Sequence, residues 1–527
     1  MSRKFILIFT TFIISSATAQ RQTIPGEIIS PYPTVENLSV EWFITGDDNQ
    51  NGTVKVKFRK KGNATWQEGM PLRRVPAGEN IKFKWQNKHS GSIFDVTPDT
   101  PYEIKLTLND PDGGSSEKTV EVRTRPEPII SAGAEIIEMA PGTHDTLFTK
   151  SGTKEHPVVY QCTLGTAIFK FIDLRNKSWV YIEGLTVDNL EKDGIGVQLN
   201  GAENCVVRHC TINAIYGIVA YKPGAINCYI SDNVITGTSQ WTNKAMGAHG
   251  DNIGEGIEMT GPGNVICYNR VTGFRDCIST MEDSHVVNQT SIDIYNNDIY
   301  RGVDDAIEAD FCFSNCRIYR NRITNCYVGL SSQPGLGGPN YFVRNVMYNV
   351  IHAAFKLKRL SQGDVALHNT VVKVGTGLGG NSAMDYAYFR NNLAIGGPTG
   401  GVNWGDYGAG NPYAADIISP GEHSSLDYDA VGVYGVEFIA KIGERSFSEV
   451  EKHGIPKIKM ADTFMSTRFP NPPIPEIEVQ DLRLKPGSAA IDAGVHIPNI
   501  NDNFTGKAPD CGAYEQNQKM PHYGPRP

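Results

Sequence analysis

The chain has 527 residues, with 49 basic against 57 acidic side chains, a formal charge of −8, and 40% hydrophobic and 20% charged content. That is an ordinary globular composition, rich enough in apolar residues to exclude a disordered chain. Its acidity argues against nucleic acid as the main partner. Glycine is abundant at 54 residues, which favours β structure with many turns.

The N-terminus reads as a signal peptide over residues 1–19. Arg3 and Lys4 precede the apolar run "FILIFTTFII", and small residues Ala17 to Ala19 precede Gln20. The run is too short to span a bilayer, so the expected mature protein is secreted or periplasmic, with no integral membrane segment. Residues 28–125 carry short strand-like runs separated by turns, among them "NLSVEWFI", "GTVKVKFRKKG" and "YEIKLTLND". Such spacing predicts a small β-sandwich. The stretch resembles a fibronectin type III domain. Trp42 stands where that family keeps its core tryptophan, and "VTPDTPYEIKL" (Val96 to Leu106) is similar to the segment before its penultimate strand.

From residue 134 the pattern becomes repetitive. "ISDNVITG", "CYNRVTGF", "IYNNDIYRG", "IYRNRITNC", "FVRNVMYNV", "ALHNTVVKV" and "YFRNNLAIG" each place an asparagine before an apolar pair. The asparagines are Asn233, Asn269, Asn297, Asn321, Asn345, Asn369 and Asn391, and the step is 24 residues from Asn297 to Asn369. A fixed period of this length predicts a solenoid with one coil per repeat and the asparagines stacked at one turn. "APGTHDTLFTKSGTKEHPVVYQC" (Ala140 to Cys162) is similar to an opening coil, and "LRLKPGSAAIDAG" and "FTGKAPDCGAYE" to a closing segment, of the right-handed parallel β-helix proteins of the pectate-lyase-like superfamily. The resemblance spans about 134–515 and implies an all-β protein active on polysaccharide. Residues 400–480 read only as loops. The ten cysteines show no CxxC or zinc spacing. They read as buried free thiols, with a Cys312–Cys316 bond as the alternative.

Aligning the coils on a small-apolar step gives "EGIEMT", "DCISTM", "DAIEAD", "VGLSSQ" and "AAFKLK". The third residue points inward, so the fourth and sixth point outward. Glu258, Ser279, Glu308, Ser331 and Lys356 then share one outward column, with Asp310 and Lys358 in the next. Glu255, Asp276 and Asp305 stack at the turn entering the strand, about 5 Å apart from rung to rung. Like charges so close cannot all ionise freely, which marks a candidate site. The plain alternative is a solvated charged face.

Two chemistries fit. Paired carboxylates suit glycoside hydrolysis, with Glu308, Asp305, Asp276 and Glu258 as catalytic candidates and an acidic or sulfated glycan as substrate. A Ca²⁺-dependent polysaccharide lyase is the second reading: acidic ligands would hold the ion, and the bases would come from Lys356, Lys358, Arg359, His249 and Arg275. Ca²⁺ enters only in that reading; the hydrolase needs no cofactor or metal. A non-catalytic glycan-binding β-helix is the third. Trp241, His249, Lys356, Lys358, Arg359 and Asp310 are the substrate-binding candidates. Trp241 and His249 lie on an extended loop, where Trp241 either stacks on a sugar or anchors the loop. The coil order is also similar to that of the polygalacturonase family: Asp276 matches one aspartate of its Asp-Asp-Cys-Ile stretch, while Arg275 replaces the other. The protein is expected to be a monomer.

Overall fold

The computed structural model describes residues 20–280, 289–399, 405, 408–471 and 474–527. The expected signal segment lies outside the described residues. The remainder is almost entirely β: a small sandwich followed by a long parallel β-solenoid.

The sandwich strands run from Ile24–Ile29 to Ser116–Arg123 and pair antiparallel. Alternation of apolar and polar residues, as in "TVKVKFRK", sends Val54, Val56 and Phe58 inward. Trp42 is fully buried at their centre, and the Thr97 backbone N–H donates to the Tyr102 hydroxyl at 2.8 Å.

In the solenoid, two parallel sheets of 12 and 17 strands wind around one apolar core. The strand register stacks Ile182, Val207, Ile230, Ile266, Ile294, Ile318, Phe342, Ala366, Phe389 and Leu426 in one inward column. Each large member contributes roughly 1.5–3 kcal/mol by burial. All ten cysteines are free, and nine of them are buried. The coils continue through the segment that reads as loops, with strands at Ala415–Pro420, Ser425–Asp427 and Ala430–Val433.

The asparagine stack forms as expected from Asn233 to Asn369 and then departs from it. Asn297 Nδ2 donates to Asn321 Oδ1 at 3.0 Å, Asn321 to Asn345 at 3.0 Å, and Asn345 to Asn369 at 3.0 Å. The next rung is Asn392, not Asn391, and Asp429 ends the ladder. Asn391 instead bonds His368 and the Val495 carbonyl. Either residue of "NN" satisfies the spacing; the turn geometry selects the second. Each ladder amide closes buried backbone groups as well, such as the Ile294 carbonyl met by Asn321 Nδ2 at 2.9 Å. Asn321→Ala would orphan several of them, and urea unfolding should show a loss of about 3 kcal/mol or more.

The residue before each ladder asparagine takes a left-handed turn, as at Asp232, Asn296, Arg320, Arg344 and His368. The C-terminal segment runs across this row as a strap. Arg344 Nη1 donates to the Ala513 carbonyl at 3.2 Å, Asn296 Nδ2 to His522 at 2.7 Å, and Arg526 clasps Asp232.

The sandwich is docked on the 12-stranded sheet through buried polar contacts. Arg317, fully buried, pairs with Asp293 at 2.5 Å and donates to Ser39 and Ser92. Thr34 and Asn37 bond the other oxygen of Asp293. A hairpin, Gly78–Asn80 with Phe83–Trp85, reaches further. Its Asn80 Nδ2 donates to the Arg359 carbonyl at 2.8 Å, and Phe83 meets Phe313 edge-on at 5.5 Å.

Candidate active site

The register places the expected column in order: Val219, Glu258, Ser279, Glu308, Ser331 and Lys356 face one another on successive strands. Glu255 is paired with Asp276, and the Asp305 N–H donates to Asp276 Oδ1 at 2.7 Å. Glu258 and Glu308 are two rungs apart, about 10 Å along the column. Serines fill the rungs beside Glu308. Ser279 Oγ donates to Glu308 Oε2 at 3.0 Å, and Ser331 Oγ to Asp310 Oδ1 at 2.6 Å.

The carboxylates do not form a solvated face. Asp305 is 0% exposed, Asp276 1%, Asp310 3%, and Glu258 and Glu308 8% each. Asp304 and Glu255, neither of them among the expected catalytic set, are buried with them. Seven carboxyl groups therefore share the region with Arg275, Lys356 and Lys358. Burial is the main cause of the titration shifts. It pushes Glu258 up to about 7, with the Asp276 charge adding to it. Burial and then Asp305 push Asp276 up to about 7, against Arg275. Asp304 rises to about 8 by burial, Asp305 and Asp276. Glu308 and Glu255 rise well above the carboxylate range, first by burial and then by Asp276. Asp310 is raised by burial against the pull of Lys356.

Lys356 Nζ forms an ion pair with Asp305 Oδ2. Burial alone would lower this ammonium, but Asp305, Asp310 and Glu308 outweigh it and hold it charged. Lys356 is thus an internal counter-ion of the cluster. Lys358 is half-buried and lowered, by burial and then by Lys356. Arg275 Nε lies 3.5 Å from Asp276 and 3.7 Å from Asp304. Asp305 Oδ1 and Glu255 Oε2 are buried acceptors with no hydrogen bond among the described residues. Such groups ordinarily find a partner.

The remaining candidates separate from the carboxylates. Trp241 packs with the apolar cluster of Met246, Val303, Tyr327 and Val328, so it anchors the loop beside the acidic coil rather than offering a free face. His249 is exposed on that loop. Arg359 is exposed, and its backbone carbonyl accepts from Asn80 of the sandwich hairpin. His352, not singled out by the sequence, stacks on Tyr327 at 5.3 Å, and burial pushes it down to about 4. Among the described residues no group of three or more His, Cys, Asp or Glu converges to hold a metal ion.

The shifts give stability a definite pH dependence. Glu258, Asp276 and Asp304 have folded pKa values raised above their unfolded ones. Their contribution is complete below about pH 4 and is lost as pH rises through about 7 to 8. For Glu258 the rise from 4.5 to about 7 corresponds to on the order of 3 kcal/mol. Thermal melts should show Tm falling from about pH 5 to about pH 8.5, and Glu258→Gln should flatten that fall.

No family model matches the chain, and no curated protein matches it. Among solved structures it is similar to a Yersinia enterocolitica family 28 exopolygalacturonase, at 11% identity over 79% of this chain and 98% of that one, with a TM-score of 0.35. The fibronectin type-III domain of human fibronectin type III domain containing protein 3 matches at 15% identity over 23% of this chain and 99% of that one, with a TM-score of 0.15. Both TM-scores are low, and a functional reading rests on the carboxylate cluster itself.

Proposed function

We propose that this protein is a polysaccharide-degrading enzyme, a glycoside hydrolase acting on an acidic or sulfated glycan through paired carboxyl groups. The observation that carries the reading is the buried stack of Glu258, Asp276, Asp305 and Glu308 on three successive coils, in which burial and neighbouring carboxylates push Glu258 and Asp276 up to about 7 and raise Glu308 well above the carboxylate range. Hydrolysis needs one carboxylic acid and one carboxylate across a glycosidic bond. Glu308, held neutral, donates its proton to the leaving oxygen as the C1–O bond breaks. Asp305, in contact with Lys356, or Asp276 beside it, takes a proton from the attacking water. Glu258 lies two rungs from Glu308 and supports the charge balance of the pair. Arg275 and Lys358 stand beside the cluster as cations for an anionic sugar.

A lyase is the second reading, favoured by one observation: burial lowers Lys358 beside the carboxylates, as a proton-abstracting amine requires. A panel of acidic and sulfated polysaccharides distinguishes the readings. The hydrolase produces new reducing ends with no ultraviolet absorbance from unsaturated uronate, and EDTA leaves its rate unchanged. Unsaturated products, with loss of rate in EDTA, establish the lyase. Binding to a glycan without cleavage establishes the non-catalytic role.

A further inference from the structure

A cavity lies away from the carboxylates and shares none of their residues. Its volume is about 640 Å³, within the usual range for a small-molecule site. Several separate parts of the chain line it, among them Phe94 and Asp95 of the sandwich, the left-handed turn row at Asn296, Arg320 and Arg344, the segments around Arg483 and Asn503, and the C-terminal strap from Ala513 to His522.

Its electrostatics are opposite to those of the chain as a whole. Arg320, Arg344, Arg483 and Lys519 line it, against Asp95 and Glu515. Arg320 is neutralised by Asp95, and Arg483 by Asp481 at 2.6 Å. Arg344 is different. One nitrogen donates to the Ala513 carbonyl at 3.2 Å, and among the described residues no carboxylate lies within ion-pair distance of it. Burial lowers its pKa and Arg320 lowers it further, while Glu515, Asp95 and Asp510 pull it back only in part. A guanidinium carries five donors in a planar fork matched to a carboxylate, so Arg344 has donors to offer an anion entering the cavity. Around it stand neutral polar side chains, Asn503, Gln516 and Gln518, suited to hydroxyl groups.

We propose that this cavity is a binding site for a carboxylate-bearing sugar, a uronate of one or two rings, with Arg344 holding the carboxylate. The sandwich, the solenoid and the strap each supply a wall, so occupancy ties the three together. The site is independent of the hydrolase reading.

The test is calorimetric titration of the whole protein with sodium glucuronate, with glucose and sodium acetate as controls. Glucuronate should bind more tightly than either and raise Tm, because it binds only the folded chain. Arg344→Met should weaken binding by roughly tenfold or more, the usual worth of a charge-assisted bond. Asn503→Phe fills the cavity from an exposed strap position and should abolish binding even if Arg344→Met fails to fold. Glu308→Gln should leave it unchanged. Binding that survives Asn503→Phe, that is matched by glucose, or that is lost in Glu308→Gln overturns the proposal, as does no binding at all.

Discussion

The Asp305→Asn, Glu308→Gln double variant should turn over glycan at least about 10²–10⁴-fold more slowly than the native chain, the usual worth of positioned acid–base groups. Its fold should survive, because both changes are isosteric, Glu308 is already neutral in the fold, and Lys356 keeps Asp310 near it when Asp305 loses its charge. Glu308→Gln alone should raise Tm at alkaline pH. Glu308 is held neutral in the fold, so its stability contribution is present at low pH and lost as pH rises; the amide has no proton to lose. Initial-rate assays beside thermal melts separate the two effects. A double variant with intact turnover removes both residues from the chemistry.

Lys356→Met should be the most destabilising single change in the cluster. It leaves Asp305, 0% exposed, without its ion-pair partner, and breaking a buried pair on one side costs about 3–5 kcal/mol. Combining it with Asp305→Asn should recover most of that loss, since no unpaired charge remains. Denaturant unfolding of the two single variants and the double variant measures the coupling directly. Additive losses mean that Lys356 is a surface cation, as its place in an outward column first suggests.

The coil register was legible because each coil repeats one inward apolar residue, Ile257, Ile278, Ile307, Leu330 and Phe355, and that residue fixes the parity of its neighbours. The asparagine spacing was legible for the same reason until "NN" offered two residues for one rung. The coils within residues 400–480 were hidden because strands such as Ala415–Pro420 are short and flanked by turn residues. Burial was the largest thing hidden. A column pointing out of the core reads as solvent-facing, and only the packed structure shows that Glu258, Glu308 and Asp305 are covered. Lys356 reads as a cation on a face, since its ion pair with Asp305 crosses two rungs. The contact from Asn80 to the Arg359 carbonyl joins residues 279 positions apart, and no periodicity announces it.

The central claim is that the folded chain holds protons on this cluster at neutral pH. The most direct measurement is a carbon-13 titration of carboxyl-labelled protein, with Glu258→Gln and Asp276→Asn assigning the signals. Glu258 and Asp276 should titrate with midpoints near about 7, and Glu308 should titrate well above the ordinary carboxylate range. If all of these groups titrate near the ordinary carboxylate value of about 4, the cluster is a solvated acidic face and the acid–base account fails.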